Sequence, residues 1–186
     1  MKGIDVSENN GSVDWQAVVD AGIEFAMVRI SYGKHGVDES FAENVQAAQA
    51  AGLKVGGYHY SYALSVDDAV EEAQNCLDAI HEAGVTLDLP LFFDMEDADG
   101  YKARHEFVFD PDEITDICRT FIANFGGDCG VYASLSWLEN YIDWQSLGCP
   151  VWNAQWGDSD SIKGYLWQYT DKLVISDKEF DGNILY

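Results

Sequence analysis

Two acidic side chains stand two residues apart in an otherwise apolar run, Leu91-Phe92-Phe93-Asp94-Met95-Glu96-Asp97. In an extended strand alternate side chains share a face, so Asp94 and Glu96 project to one side and Phe93 and Met95 to the other. Two strand rises separate their backbones by about 6.5 to 7 Å. Holding two carboxylates in an apolar strand is costly unless they are solvated, paired or used. Crowded carboxylates raise each other's pKa, so one can keep its proton near neutral pH and donate it to a reacting group. The pair therefore suits acid/base work on a single bond. Out of context the same Asp-x-Glu spacing reads as a strand that ends in a solvated acidic loop.

The elements that would position such a pair are legible in the hydrophobic pattern. Strand-like runs at 4–7, 25–31, 54–62, 89–97 and 130–134 alternate with helical stretches at 14–21, 40–51, 66–83, 110–125 and 136–141. Gly22, Gly52 and Gly84 close the first three helices, and Asp110-Pro111 opens the fourth with Pro at its first position. The last forty or so residues change character. Runs at 150–156, 165–170 and 174–180 read as strands joined by short Gly and Asp turns without intervening helices. Five βα units followed by a β-only tail predict an α/β fold, an incomplete TIM-like barrel lacking its last helices. With no linker, repeat or low-complexity tract, residues 1–186 read as a single domain.

Barrels of this type carry their active sites at the C-terminal ends of the strands. Those positions hold Asp5, Arg29, Tyr58, Tyr60, Asp94, Glu96, Tyr132, Trp152, Gln155, Gln168 and Tyr169, with Asp181 just beyond the last strand. Four carboxylates from distant parts of the chain would thus converge on one mouth. Aromatic rings suit the apolar C–H faces of sugars, and their polar tips hydrogen-bond hydroxyls. Period 2 sets Trp167 and Tyr169 on the face opposite Gln168.

Composition narrows the ligand. The 186 residues carry 10 basic and 33 acidic side chains, a net charge of −23, with 6 Trp, 10 Tyr and 9 Phe. A polyanion needs Lys and Arg to displace its counterions, so nucleic acid is not an expected partner, and anionic membrane surfaces are disfavoured by the same sign. Neutral polar ligands such as sugars, or cations, remain. No apolar run approaches the roughly 20 residues of a membrane span, and the first residues lack a signal-peptide pattern. Cys76, Cys118, Cys129 and Cys149 show no metal-ligand spacing and read as reduced, buried thiols, with three disulfide pairings as the alternative.

Several features have ordinary readings. Asp5 before Ser-Glu-Asn-Asn-Gly resembles a turn or cap, and so does Asp181 before Gly182. His59 points opposite to Tyr58 and Tyr60 and is expected to pack behind the sheet. Asp97-Ala98-Asp99-Gly100 with Glu106 matches the later part of a calcium-binding EF-hand loop. Met95 stands at the first ligand position, however, and a strand precedes the loop where a helix is required. No metal and no cofactor are expected.

Five segments, Gly3-Ile4-Asp5-Val6-Ser7, Gly57-Tyr58-His59-Tyr60, Phe93-Asp94-Met95-Glu96, Leu166-Trp167-Gln168-Tyr169 and Phe180-Asp181-Gly182-Asn183, together resemble the glycoside hydrolase family 25 muramidases, the Chalaropsis-type lysozymes. They run in order over essentially the whole chain. The resemblance implies a flattened (β/α)5β3 barrel that hydrolyses the β-1,4 bond between N-acetylmuramic acid and N-acetylglucosamine in bacterial peptidoglycan. It implies Glu96 as general acid, Asp94 as the second catalytic carboxylate, and Asp5 and Asp181 as supporting acids. Asp94 would either activate water, with inversion, or orient the substrate's N-acetyl group as nucleophile, with retention. A monomer secreted or released onto the bacterial wall is the corresponding expectation. Two other readings are a barrel glycosidase acting on chitin-like N-acetylhexosamine polymers and a non-catalytic glycan-binding module.

Overall fold

The computed structural model describes residues 1–186. Its strands are β1 (Lys2–Val6), β2 (Phe25–Tyr32), β3 (Gly36–Val37), β4 (Lys54–Tyr60), β5 (Leu91–Asp94), β6 (Cys129–Ser134), β7 (Val151–Ala154), β8 (Leu166–Ile175) and β9 (Lys178–Leu185). Its helices are α1 (Trp15–Asp20), α2 (Phe41–Ala50), α3 (Val66–Ala83), α4 (Tyr101–Arg104), α5 (Pro111–Phe125), α6 (Leu135–Asn140) and α7 (Trp144–Leu147). β1, β2, β4, β5, β6, β7 and β8 lie side by side in parallel. β9 runs antiparallel between β8 and β1 and closes the barrel. The short β3 pairs with the end of β2 outside the closed ring.

Up to β7 the parallel strands follow from the crossover helices; β7 and β8 are parallel across a helix-free loop at 155–165, and the reversal at β9 follows from its connection. Ile175 pairs with Lys178, so only Ser176 and Asp177 turn the chain, both at positive φ, 48° and 67°. That is the geometry of a two-residue hairpin whose twist matches its strands. The run expected as a strand over 174–180 is therefore this hairpin: β8 extends to Ile175, and Asp181 lies inside β9 directly opposite Asp5 of β1. β5 also ends earlier than its apolar run suggested, at Asp94, and Glu96 stands on the loop that leaves it.

Alternation along the strands makes two cores. Ala26, Val28, Phe93 and Met95 face outward and pack under the helices with Ile117 and Phe121, all fully buried. Phe25, Met27, Phe92, Trp152, Leu166 and Leu185 fill the barrel's interior. This plug needs glycines opposite its large rings. A Cβ on Gly3 would sit 2.3 Å from the Phe25 ring, and one on Gly130 would sit 2.7 Å from Phe92. A bulge in β2 between Arg29 and Ser31 then changes the alternation, leaving Arg29 toward the interior and Ser31 outward against His59.

His59 is buried behind the sheet. Its Nδ1 lies 2.8 Å from Ser31 Oγ, its Nε2 lies 3.3 Å from Glu72 of α3, and its ring packs on Phe121. All four cysteines are free thiols, three of them buried. No helix is long and apolar enough to cross a membrane.

Candidate active site

Above the apolar plug, at the C-terminal ends of the parallel strands, a cavity of about 300 Å³ opens. Asp5, Arg29, Tyr58, Tyr60, Asp94, Glu96, Tyr132, Trp152, Gln168 and Asp181 line it. Strand pitch explains the convergence: Arg29 is level with Tyr58, Tyr60 with Asp94, Asp94 with Tyr132, and Tyr132 with Trp152. Trp152 forms the floor at 1% exposure, with the Tyr132 ring 4.6 Å and the Tyr58 ring 6.0 Å from its own.

The carboxylates fall into two groups. Asp5 Oδ2 accepts from Asn183 Nδ2 at 2.7 Å and from Gln168 Nε2 at 3.0 Å, and the same Gln168 amide donates to Asp181 Oδ2 at 3.2 Å. Asn183 is oriented by the Trp152 indole, whose Nε1 donates to its Oδ1 at 2.8 Å. Gln168 Oε1 in turn accepts from Tyr132 and Trp156. Burial and the neighbouring Asp5 carboxyl push Asp181 up to about 8. Asp5 is raised by burial and held back by its amide donors.

Asp94 and Glu96 make the second group. Asp94 is buried, its Oδ1 has no hydrogen-bond partner, and burial followed by the Glu96 charge raises its pKa well above the usual carboxylate range. Glu96 rises to about 7. The leading cause is loss of water around it; the Lys102 ammonium works against that, and Asp99, Asp181 and Asp97 add like-charge pressure. Crowding by other acids is thus the lesser cause, which corrects the expectation drawn from their spacing. A carboxylic acid that keeps its proton near neutral pH, at the mouth of a cleft, is equipped to protonate a leaving group.

The family model for the glycosyl hydrolases family 25 matches residues 4–178. The chain belongs to glycosyl hydrolase family 25. It is 30% identical over 184 residues to an autolytic lysozyme of Clostridium acetobutylicum, a match covering 95% of this chain and 52% of that protein. It is 27% identical to lysozyme M1 of Streptomyces globisporus, over 91% of this chain and 62% of that one. The chain thus spans roughly half to two-thirds of the length of these relatives. Among solved structures, the CTP1L endolysin superposes on the whole chain with a TM-score of 0.85 at 25% identity, over 66% of its own length. The autolysin LytC from Streptococcus pneumoniae, solved with a synthetic peptidoglycan ligand, shares the fold with a TM-score of 0.89 at 23% identity, over all of this chain and 46% of its own.

In this family 25 domain, Gln155 and Tyr169 are the sequence candidates that the structure does not bring to the cavity. Gln155 pins a loop, accepting from Ser161 N and Asn153 Nδ2 and donating to Ser161 Oγ. Tyr169 lies beside Trp167, on the outer face of β8 that period 2 assigns to it, its ring 5.7 Å from the indole. Arg29 does line the cavity, but its guanidinium is held between Asp38 and Glu8 at 2.9 and 3.0 Å.

Sequence reasoning missed Ser7, Asn9 and Asn10, which also line the cavity. They sit on a single 3₁₀ turn that Ser7 and Asn10 cap reciprocally, and the Ser-x-x-Asn spacing was the available signal. Asn183, in the Phe180-Asp181-Gly182-Asn183 segment, holds Asp5 and is a further site residue beyond the sequence candidates. The EF-hand-like carboxylates have structural work: Asp97 accepts from Lys102 N and Ala103 N at the start of α4, and Asp99 accepts from Tyr101 N and the Tyr62 hydroxyl.

The cavity continues on both sides. Toward β7 it meets a recess of about 460 Å³ that shares Glu96 and Tyr132 with it and adds Ser134, Leu135 and Trp156. Toward β2 it meets one of about 390 Å³ that shares Arg29 and Tyr60 and adds Tyr32 and Tyr62. Glu96 therefore stands part-way along an extended groove lined with aromatic rings.

Proposed function

We propose that this family 25 domain is a muramidase. It hydrolyses the β-1,4 bond between N-acetylmuramic acid and N-acetylglucosamine within peptidoglycan strands, with Glu96 as general acid and Asp94 as the second carboxylate. The observation that carries this reading is the position of Glu96: a carboxyl with a raised pKa at the junction of a groove that runs past it on both sides, as cleavage inside a polymer requires. The lysozyme relatives and the peptidoglycan-bound autolysin with the same fold support the choice of polymer. Asp5 and Asp181 support the site through Gln168 and Asn183, and the aromatic walls take the sugar rings. The substrate places the site of action on the bacterial wall, and a single copy of the chain carries every group invoked.

Release of reducing ends from purified peptidoglycan, with chitin as the control polymer, tests the reading. Activity on chitin alone points to a different glycosidase, and binding without release points to a glycan-binding module. NMR of the first-formed anomer then distinguishes direct water activation by Asp94, which inverts, from participation of the substrate's N-acetyl group, which retains.

The acid role fixes the sign of the pH response. The protonated form of Glu96 is the active one, so kcat/KM should fall as pH rises through the free enzyme's pKa for this acid, about 7. Initial rates on soluble peptidoglycan fragments between pH 5 and 9 check this; a rate still climbing at pH 9 would overturn the assignment.

A further inference from the structure

Lys102 of α4 is 1% exposed, and lysine is rarely buried so fully unless its charge is used. Both hydrogen bonds of its ammonium go to main-chain carbonyls: Ser61 O at 2.5 Å, just past the end of β4, and Glu96 O at 2.9 Å. The latter bond falls where the sheet has ended. The last strand-like tie in this segment is Met95 N to Tyr132 O, at 3.0 Å, one residue before Glu96. Lys102 is itself fixed by the segment it holds, because Asp97 Oδ1 accepts from Lys102 N at 2.7 Å. Main chain and side chain thus clamp residues 96–102 into a closed loop under the mouth of the barrel.

We propose that Lys102 is a positioning residue for Glu96, its ammonium pinning the acid's main chain at the barrel mouth and placing a positive charge behind the acidic cluster. The proposal rests on Glu96 being the general acid. Facing the ammonium are Glu72 of α3, Asp94 of β5, Asp97 of the loop and the Cys118 thiol of α5. The groups that interact with the Glu96 carboxyl, besides Lys102, are Asp97 and Asp99 of its own loop, Asp94 of β5, Asp5 of β1 and Asp181 of β9, with Tyr60 of β4 and Tyr132 of β6. Lys102 is thus the cation set against a group of acids. Charge and tether act together: one opposes the rise in the acid's pKa, and the other holds its carboxyl in register with the bond to be cut.

The test is the pH–rate profile of Lys102→Met and Lys102→Arg on soluble peptidoglycan fragments, with circular dichroism as the folding control. Lys102→Met removes the charge and the donors. It should lower kcat roughly 10-fold with KM within about twofold, and move the alkaline limb up by about one pH unit. Lys102→Arg keeps the charge and should leave the limb in place. A Lys102→Met enzyme whose limb stays at the wild-type pH or moves down overturns the proposal, since loosened packing admits water and lowers a carboxyl that burial has raised, whereas loss of the ammonium raises it. Should Lys102→Met fail to fold, ¹⁵N NMR of the wild-type ammonium decides. The proposal requires Lys102 to remain charged throughout the active range, and its deprotonation below the alkaline limb overturns it. The acid assignment fails separately, if Glu96→Gln remains active.

Discussion

Glu96→Gln should reduce turnover on peptidoglycan by at least roughly 100-fold while the protein stays folded. Glutamine keeps the shape and a hydrogen-bonding tip but has no proton to give to a leaving oxygen. The loss should therefore fall on kcat, with KM little changed, and it should be larger for a poor leaving group such as a sugar hydroxyl than for an activated phenol. Stability gives an independent check. The folded-state pKa of Glu96, about 7, lies above its ordinary value of 4.5. A raised acid of this kind contributes stability that is complete below its unfolded pKa and is lost as pH rises through its folded pKa. The neutral glutamine has no such loss, so at pH 8 the variant should melt no lower than wild type. A folded variant that digests peptidoglycan at near-normal rates would sink the acid assignment. A variant that is inactive but melts many degrees lower would show that the side chain was holding the fold.

The barrel was readable because its signals are local: apolar alternation, helix-closing glycines and caps such as Asp110-Pro111 are set by neighbours in sequence. The end of the chain was misread for a physical reason. Ser176 and Asp177 turn a hairpin at positive φ without a glycine, so the turn carries no strong mark and the strand-like pattern runs across it. Asp181 accordingly moved from a turn beyond the last strand into β9. There it meets Asp5, a pairing between residues 176 positions apart that no local pattern encodes.

The site was readable to the extent that period 2 and strand ends determine it. Asp94 and Glu96 do share the cavity while Phe93 and Met95 pack outward. Gln155 and Tyr169 fall outside it: Gln155 because its loop turns its side chain to Ser161, Tyr169 because alternation already put it on the outer face. The causes of the Glu96 shift were beyond reach, since burial and the inward course of the Lys102 side chain are properties of the closed barrel and not of the Asp-x-Glu spacing. Nothing around Lys102 in the sequence marks it for burial, and only the fold shows where its ammonium ends.

Two tryptophans that look alike in sequence should give opposite results on truncation. Trp152→Ala should cost about 3 to 5 kcal/mol of stability, measured by urea unfolding. The indole is 1% exposed, rests edge-on against Phe92 at 5.6 Å, and is closed over by Tyr58 and Tyr132. Its loss opens a cavity in the barrel plug and also leaves Asn183 Oδ1 without its buried donor, so the amide that holds Asp5 is released as well. Trp156, by contrast, is 60% exposed on the recess that adjoins Glu96. Its truncation removes no core and only one of the two donors to Gln168 Oε1, the Tyr132 hydroxyl remaining, so stability should fall by no more than about 1 kcal/mol. What it removes is an aromatic face on the proposed path of the glycan, and KM should rise roughly 5- to 10-fold, the equivalent of about 1 to 1.4 kcal/mol of stacking. Equal destabilisation by both variants would mean that the Trp156 loop is part of the core; an unchanged KM in Trp156→Ala would mean that the glycan takes another route past Glu96.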